Sequence, residues 1–199
     1  MPLSIQEAKT IEDKKWYKEL IPKHIDRSLS PEKVDGIIFA SMESALEVYA
    51  SIKDDLERFG PNRLEAYRAI FERYHVRINH DYETHPTNLL AMYDVHHNEL
   101  SIMHNSIANF HTNIAEKALH DYISLETLQR MVLAHELYHV IEMNEDDIYT
   151  YQKIYKRKFL FFTREERLSA ASEIGAYHFV KLAENLAFNP MFLEDIDIS

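Results

Sequence analysis

The sequence predicts an α+β fold: a helix-rich single domain with a small antiparallel sheet of about three strands, packed on one of its helices. Two patterns support this prediction. Long stretches place apolar residues three and four positions apart, as amphipathic helices do, whereas residues 76–104 alternate as strands do. The length of 199 residues suits one domain. We expect it to comprise a helical part (1–61), a core (62–188) and a tail (189–199).

The composition excludes several classes of protein. With 46% hydrophobic and 28% charged residues, the chain is typical of a globular protein. Its formal charge of −11 argues against direct binding of nucleic acid, and the absence of cysteine excludes disulfides and thiolate metal sites. We find no export signal and no apolar run that could span a membrane, and therefore expect a cytoplasmic protein. The unusual feature is a content of 12 histidines.

The first long helix is predicted over residues 31–59. Ser30 can cap its N-terminus, Pro31 suits the first helical position, and Gly60 ends it. A second, shorter amphipathic stretch follows immediately, and it predicts another helix of the same kind.

The pattern then changes to that of a small sheet. Val76, Ile78 and His80 alternate with polar residues, and residues 88–104 have the pattern of a hairpin with its turn near Asn98. Consecutive strands joined in this way predict antiparallel pairing.

Two capped helices are predicted in the C-terminal half. Ser124 can cap a helix that carries Glu126 in its first turn and runs to about Asn144. The sequence Thr163-Arg-Glu-Glu166 matches a capping box, which predicts a second helix ending near Phe188.

The first of these helices contains His135-Glu136-Leu-Tyr-His139, a complete H-E-x-x-H motif. A chain of this composition would contain about 0.08 such matches by chance. Because an α-helix has 3.6 residues per turn, the two histidines lie on one face and can bind one metal ion. Glu136 projects beside that face, where it can act as general base on a zinc-bound water.

Glu173, on the last predicted helix, is the candidate third ligand. The small residues around it would let this helix approach the histidines closely; they are Ser172, Gly175 and Ala176. Two histidines and one glutamate leave a coordination position open, as in catalytic sites for one Zn²⁺ ion. Rival ligands are Glu165, Glu166, Glu184 and His178.

The motif followed by Glu173, Ala176 and Phe179 resembles the small gluzincin metallopeptidases, in particular the ImmA/IrrE-like family. This resemblance implies a minimal zincin fold, a protein or peptide substrate such as a transcriptional regulator, and an edge strand at residues 99–104 that pairs with the substrate backbone. Position 177 holds Tyr where many gluzincins have an aspartate that orients a zinc histidine. The sequence therefore assigns no orienting partner.

The resulting hypothesis is a zinc-dependent metallopeptidase that hydrolyses peptide bonds. Tyr177 is the candidate donor of a hydrogen bond to the oxyanion, and His104 is the candidate substrate-binding residue near the cleft. Three alternatives stay open: a non-catalytic zinc-binding regulatory protein on a peptidase scaffold, an esterase or amidase, and a structural protein with an accidental motif.

Overall fold

The computed structural model describes residues 8–22, 29–83, 89–116, 123–152, 155–159 and 162–193. Its helices are α1 (Asp13–Leu20), α2 (Pro31–Arg58), α3 (Arg63–Arg73), α4 (His104–Glu116), α5 (Leu125–Asn144) and α6 (Ser169–Ala183). Its strands are β1 (Arg77–Asp81), β2 (Ala91–Asp94), β3 (Glu99–Met103), β4 (Tyr155–Phe159) and β5 (Phe162–Glu166). A short 3₁₀ helix spans Tyr149–Tyr151. The described chain is thus helix-rich with a small three-stranded sheet and a separate hairpin, which agrees with the predicted α+β class.

The long helices predicted from local pattern are present at nearly the predicted bounds. α2 begins at Pro31 and turns its apolar face onto α6, with α3 following at once. α5 begins after Ser124, whose hydroxyl accepts the backbone N–H of Thr127. Ser30 occupies the N-cap position of α2, but its side chain makes no capping hydrogen bond to the helix. Apolar spacing and the cap of α5 act within one or two turns, and the sequence therefore predicts these helices well.

The three-stranded sheet is mixed, so the prediction of an antiparallel sheet is wrong for one of its two pairings. β2 and β3 form the predicted antiparallel hairpin, but β1 pairs with β3 in parallel, and the order is β1-β3-β2. The chain passes from β1 to the far side of the sheet before it forms β2, and β3 then returns between them. Strand alternation specifies which residues are extended, but it does not specify which strand becomes the neighbour.

This order also corrects the expected edge strand. β3, which covers most of residues 99–104, is the central strand, and β2 is an outer strand that lies alongside α5. The exposed side chain of Met92 projects from β2, whereas Ala91 is buried. Of the two outer strands that the structure describes in this sheet, β2 is therefore the one that packs against the motif helix.

The predicted capping box does not start a helix. Thr163 lies inside the β4–β5 hairpin, where it pairs with Lys158, and α6 begins only at Ser169. α6 also ends at Ala183, five residues before the predicted end, because Asn185 takes a left-handed conformation with φ of 51°. The capping-box pattern of residues 163–166 does not form a helix because these residues pair with β4 as a hairpin.

Helix α4 was not predicted. The alternating pattern predicts a strand through His104, but the strand ends at Met103 and the helix begins at the next residue. Ile107 and Ile114 are both fully buried and lie seven residues apart, a helical spacing that could have indicated this element. The last part of the predicted tail, residues 194–199, lies outside the described residues.

Helices α5 and α6 approach each other closely at Gly175. A Cβ atom at this position would overlap the hydroxyl and ring of Tyr138, which is fully buried on α5. The Tyr138 hydroxyl is held 2.8 Å from Oγ1 of Thr150, and its ring lies 5.8 Å from that of Phe179. The predicted packing role of Gly175 is thus confirmed, since only a residue without a side chain fits against this tyrosine.

We expect Gly175→Ala to lower the free energy of unfolding by about 1–3 kcal/mol, because the added methyl group must displace a buried ring. Gly36→Ala is the matched control: Gly36 is also helical, but a Cβ there meets nothing within 4 Å. That variant should gain about 0.5–1 kcal/mol from helix propensity. Urea unfolding of both variants measures the difference, and equal effects would contradict the close approach.

Candidate metal centre

The two motif histidines lie on one face of α5 and point toward the same position. Nε2 of His135 is 3.2 Å from Nε2 of His139. α6 brings Glu173 to the same place, with its Oε2 3.4 Å from Nε2 of His135 and its Oε1 3.7 Å from Nε2 of His139. Three side chains from two helices thus present one nitrogen or oxygen atom each to a common point, as the sequence predicts.

These separations fit a tetrahedral metal site. Two ligand atoms bound about 2.0–2.1 Å from an ion at the tetrahedral angle are about 3.3 Å apart. The two imidazole nitrogens are 3.2 Å apart, and they lie 3.4 and 3.7 Å from the two different oxygens of the Glu173 carboxylate, so the three side chains stand close to the spacing that such a site requires. Within the described residues, this is the group of three ligating side chains with the geometry to hold a metal ion.

Electrostatics favour a cation at this point. Burial by itself would raise the pKa of the Glu173 carboxyl, but the hydrogen bond from His135 and the charges of both histidines lower it below its ordinary value. Burial would likewise lower the pKa of His139, yet the hydrogen bond to Glu142 and the nearby Glu173 and Glu136 raise it. The carboxylate is therefore anionic at neutral pH, and a metal ion would replace the proton that the acidic groups attract to His139.

Glu142, to which the sequence assigned no role, contacts the His139 ring on the side that faces away from Glu173. Nδ1 of His139 lies 3.3 Å from Oε2 of Glu142 and 3.1 Å from Oγ of Ser172. The Ser172 hydroxyl donates to the same Glu142 oxygen at 2.6 Å. A sequence signal exists: Glu142 interrupts the apolar stretch after the motif, three residues beyond His139 and hence on the same helix face.

A cleft of about 420 Å³ opens beside the centre. Its polar lining residues are His135, Glu136 and Tyr177. Its other walls are apolar and come from the start of β2, from α4, α5 and α6, and from the C-terminal segment: Leu89, Leu90, Ala91, Phe110, Leu128, Met131, Val132, Val180, Pro190 and Leu193. The predicted general base thus faces a mostly apolar cleft that adjoins the candidate ligands.

Tyr177 lies at the centre as predicted. Its ring packs edge-on against His135 with the ring centroids 5.0 Å apart, and it lines the cleft. It lies one helical turn beyond Glu173 on α6, so ligand and tyrosine share one face.

The structure gives the rival ligands other partners. Glu184 is buried against Arg130, whose Nε donates to its Oε2 at 2.9 Å, and Tyr67, whose hydroxyl donates to its Oε1 at 2.5 Å. His178 lies 3.1 Å from the Tyr17 hydroxyl. Glu165 and Glu166 belong to strand β5 and not to the first turn of a helix, as the capping box had predicted.

His104 does not line the cleft among the residues that the structure describes there. Its ring stacks on that of Tyr82 with centroids 4.5 Å apart, and its Nε2 lies 2.8 Å from Nδ1 of His80. The prediction of a substrate-binding role relied on nearness in sequence. Because α4 begins at His104, the backbone turns there and the ring packs beside the strands instead.

Comparison with known proteins identifies no relative: no family model, no curated protein and no solved structure matches this chain. The site therefore has to be interpreted from its own geometry. Among the described helices, none is both long and apolar enough to cross a membrane.

Removal of the Glu173 carboxylate should abolish stable metal binding, because two histidines alone leave the ion with too few protein ligands. We expect Glu173→Ala to lose most of its zinc after dialysis, while the wild-type chain keeps about one ion. Glu166→Ala, which alters a rival ligand on β5, is the control and should keep its zinc. Elemental analysis measures the content, and full occupancy in Glu173→Ala would place the third ligand elsewhere.

Proposed function

We propose that this protein is a zinc-dependent metallopeptidase with a minimal zincin fold. The observation that carries the proposal is the convergence of His135, His139 and Glu173, whose candidate ligand atoms all lie within 4.8 Å of one another, with Glu136 facing a cleft beside them. Two histidines and one carboxylate form a ligand set that catalytic zinc sites use, and they leave a position open toward substrate. The H-E-x-x-H motif and its downstream glutamate support the same assignment to an ImmA/IrrE-like gluzincin.

The ligand residues are suited to zinc. Neutral imidazole and carboxylate both bind Zn²⁺ well, and the sequence contains no cysteine that could form a thiolate site. When bound, the ion would act as a Lewis acid that polarises the scissile carbonyl and makes water more acidic.

Glu136 would serve as the proton carrier. It adjoins His135 in sequence and lines the cleft, but it does not belong to the group of three ligating side chains. Its carboxylate can therefore accept a proton from the attacking water and then deliver it to the nitrogen of the leaving amine. This transfer moves one proton of the water to the leaving nitrogen as the C–N bond breaks, and the second proton of the water stays with the new carboxyl group.

Tyr177 and β2 would position the substrate. The tyrosine O–H can donate a hydrogen bond to the oxygen of the scissile carbonyl as negative charge develops there. The outer edge of β2 offers backbone N–H and C=O groups to an extended peptide, in the manner of an added strand. Because β2 packs alongside α5, a peptide on that edge would pass close to the candidate ligands.

The apolar cleft would then receive a substrate side chain next to the scissile bond. A volume of about 420 Å³ is large enough for a leucine, methionine or phenylalanine side chain. The walls lack a described cation or amide that could pair with a charged side chain, so acidic residues at that position would be left without a partner. We therefore expect the substrate to be a protein or peptide with a large apolar residue beside the cleaved bond.

Glu136→Ala should keep its zinc and lose hydrolysis, because the variant removes the proton carrier without removing a ligand. Loss of this group is expected to lower kcat by about 10²–10⁴-fold. Peptide cleavage and zinc content are measured on the same preparation, with Glu126→Ala as an exposed control on the same helix. A zinc-loaded Glu136→Ala protein that cleaves at the wild-type rate would contradict the proposal, and an inactive wild-type protein with bound zinc would favour the non-catalytic alternative.

Cleavage sites in a complex peptide mixture should reveal the apolar preference. We expect large apolar residues to be enriched at one position flanking the bond, and Val132→Phe, which narrows the cleft, to shift that preference toward smaller side chains. Val95→Phe is the control, because Val95 is 49% exposed and does not line the cleft. Mass spectrometry of the products identifies the sites. Equal use of acidic and apolar residues at both flanking positions would refute the role of the cleft.

A further inference from the structure

Glu142 is a buried carboxylate on the side of His139 that faces away from the candidate metal position. Its side chain is 1% exposed. Oε2 accepts the Ser172 hydroxyl at 2.6 Å and lies 3.3 Å from Nδ1 of His139. Glu142, Ser172 and His139 therefore form one closed triangle of contacts between α5 and α6.

No lysine or arginine pairs with this carboxylate within the part of the chain that the structure describes. The other oxygen of Glu142, Oε1, is buried without a hydrogen-bond partner there, and its ion-pair partner is His139. The buried Glu184 provides a contrast, because Arg130 and the Tyr67 hydroxyl satisfy its two oxygens. A buried carboxylate is costly unless a hydrogen bond or a positive charge compensates it. Glu142 therefore depends on the N–H group of the His139 ring for this compensation.

The position of the His139 ring indicates which of its two nitrogens donates to Glu142. Its Nε2 faces Glu173 and His135, so this nitrogen must keep its lone pair free to bind a metal. Nδ1 then carries the ring proton and donates toward Glu142 and Ser172. A cation on Nε2 would polarise the Nδ1–H bond and thereby strengthen its interaction with the buried carboxylate.

We infer that Glu142, together with Ser172, is the positioning pair that fixes the ring and tautomer of His139 for metal binding. This inference rests on the proposed metal site. It assigns the orienting partner that the sequence did not name, and it places that partner on the motif helix itself. The competing explanation is that Glu142 only ties α5 to α6 through Ser172, in which case the carboxylate would matter for folding and not for the metal.

Glu142→Gln separates these explanations. Glutamine keeps the shape and can still accept the Ser172 hydroxyl through its amide oxygen, but it removes the charge that faces His139. We expect the variant to bind zinc about 10–100-fold more weakly than the wild type, as measured by competition with a chromogenic chelator. The thermal unfolding of the metal-free protein should change little.

Glu184→Gln is the matched control, because it alters an equally buried carboxylate, directly after the end of α6, that has an arginine partner and does not contact a candidate ligand. We expect this variant to unfold more easily and to keep its zinc affinity. Ser172→Ala provides a second probe that leaves the Glu142 carboxylate in place, and it should weaken zinc binding by a smaller factor than Glu142→Gln.

Replacing Zn²⁺ by Co²⁺ adds a second measurement. It should not change if Glu142 only connects α5 to α6 through Ser172. The visible absorption of bound cobalt depends on the orientation of its ligands, so Glu142→Gln should alter the bands while Glu184→Gln leaves them as in the wild type. Wild-type zinc affinity and an unchanged cobalt spectrum in Glu142→Gln would overturn the positioning role. If Glu142→Gln fails to fold, wild-type zinc affinity in Ser172→Ala would overturn it instead.

The same measurements distinguish this inference from the proposed function. A wild-type chain that binds no zinc would overturn both. A wild-type chain that binds zinc and loses affinity on Glu142→Gln, but cleaves no peptide, would support the positioning pair and contradict the peptidase assignment.

Discussion

The close packing of α5 against α6 is the constraint on which the candidate site depends. Gly175 lets the backbone of α6 lie against the ring of Tyr138, and the hydroxyl of that tyrosine is in turn held by Thr150. Because Glu173 precedes Gly175 by two residues, the distance between the helices at this point sets the distance between carboxylate and histidines. A ligand triangle with sides of a few ångströms requires such precision, and a glycine against a buried ring provides it through shape alone.

Helix α5 contributes both to the core and to the candidate site because its faces carry different kinds of side chain. One face carries Leu137 and Tyr138 into the core, and another presents His135 and His139 to the candidate ion. Glu136 lies at the border with the cleft, while Glu142 lies one turn beyond, beneath His139. The helical period thus places Glu136 on the cleft side of the candidate ligands and the buried Glu142 on the opposite side within eight residues, and the backbone hydrogen bonds of the helix maintain both positions.

The sheet and the histidine-rich segment contribute less to the centre than their composition suggests. Strand β2 forms part of the cleft through Ala91, but the histidines near the sheet act locally: His97 pairs with Asp94 in the hairpin turn, and His104 stacks with its neighbours. A high content of histidine is therefore a poor guide to the candidate metal centre. Spacing within one helix, together with one carboxylate on a second helix, is what identifies the candidate ligands.

The sequence by itself determined what depends on neighbours along the chain: the bounds of α2 and α5, the capping Ser124, and two histidines and a glutamate in helical register. It also indicated Glu173, because small residues mark a close helix contact. Only the tertiary structure decided the parallel pairing of β1 with β3, the hairpin where a capping box stood, and the approach of Ser172 to Glu142. Contacts within a helical turn follow from the spacing of residues along the chain. The other contacts join residues that are distant in sequence, and they depend on how the whole chain packs.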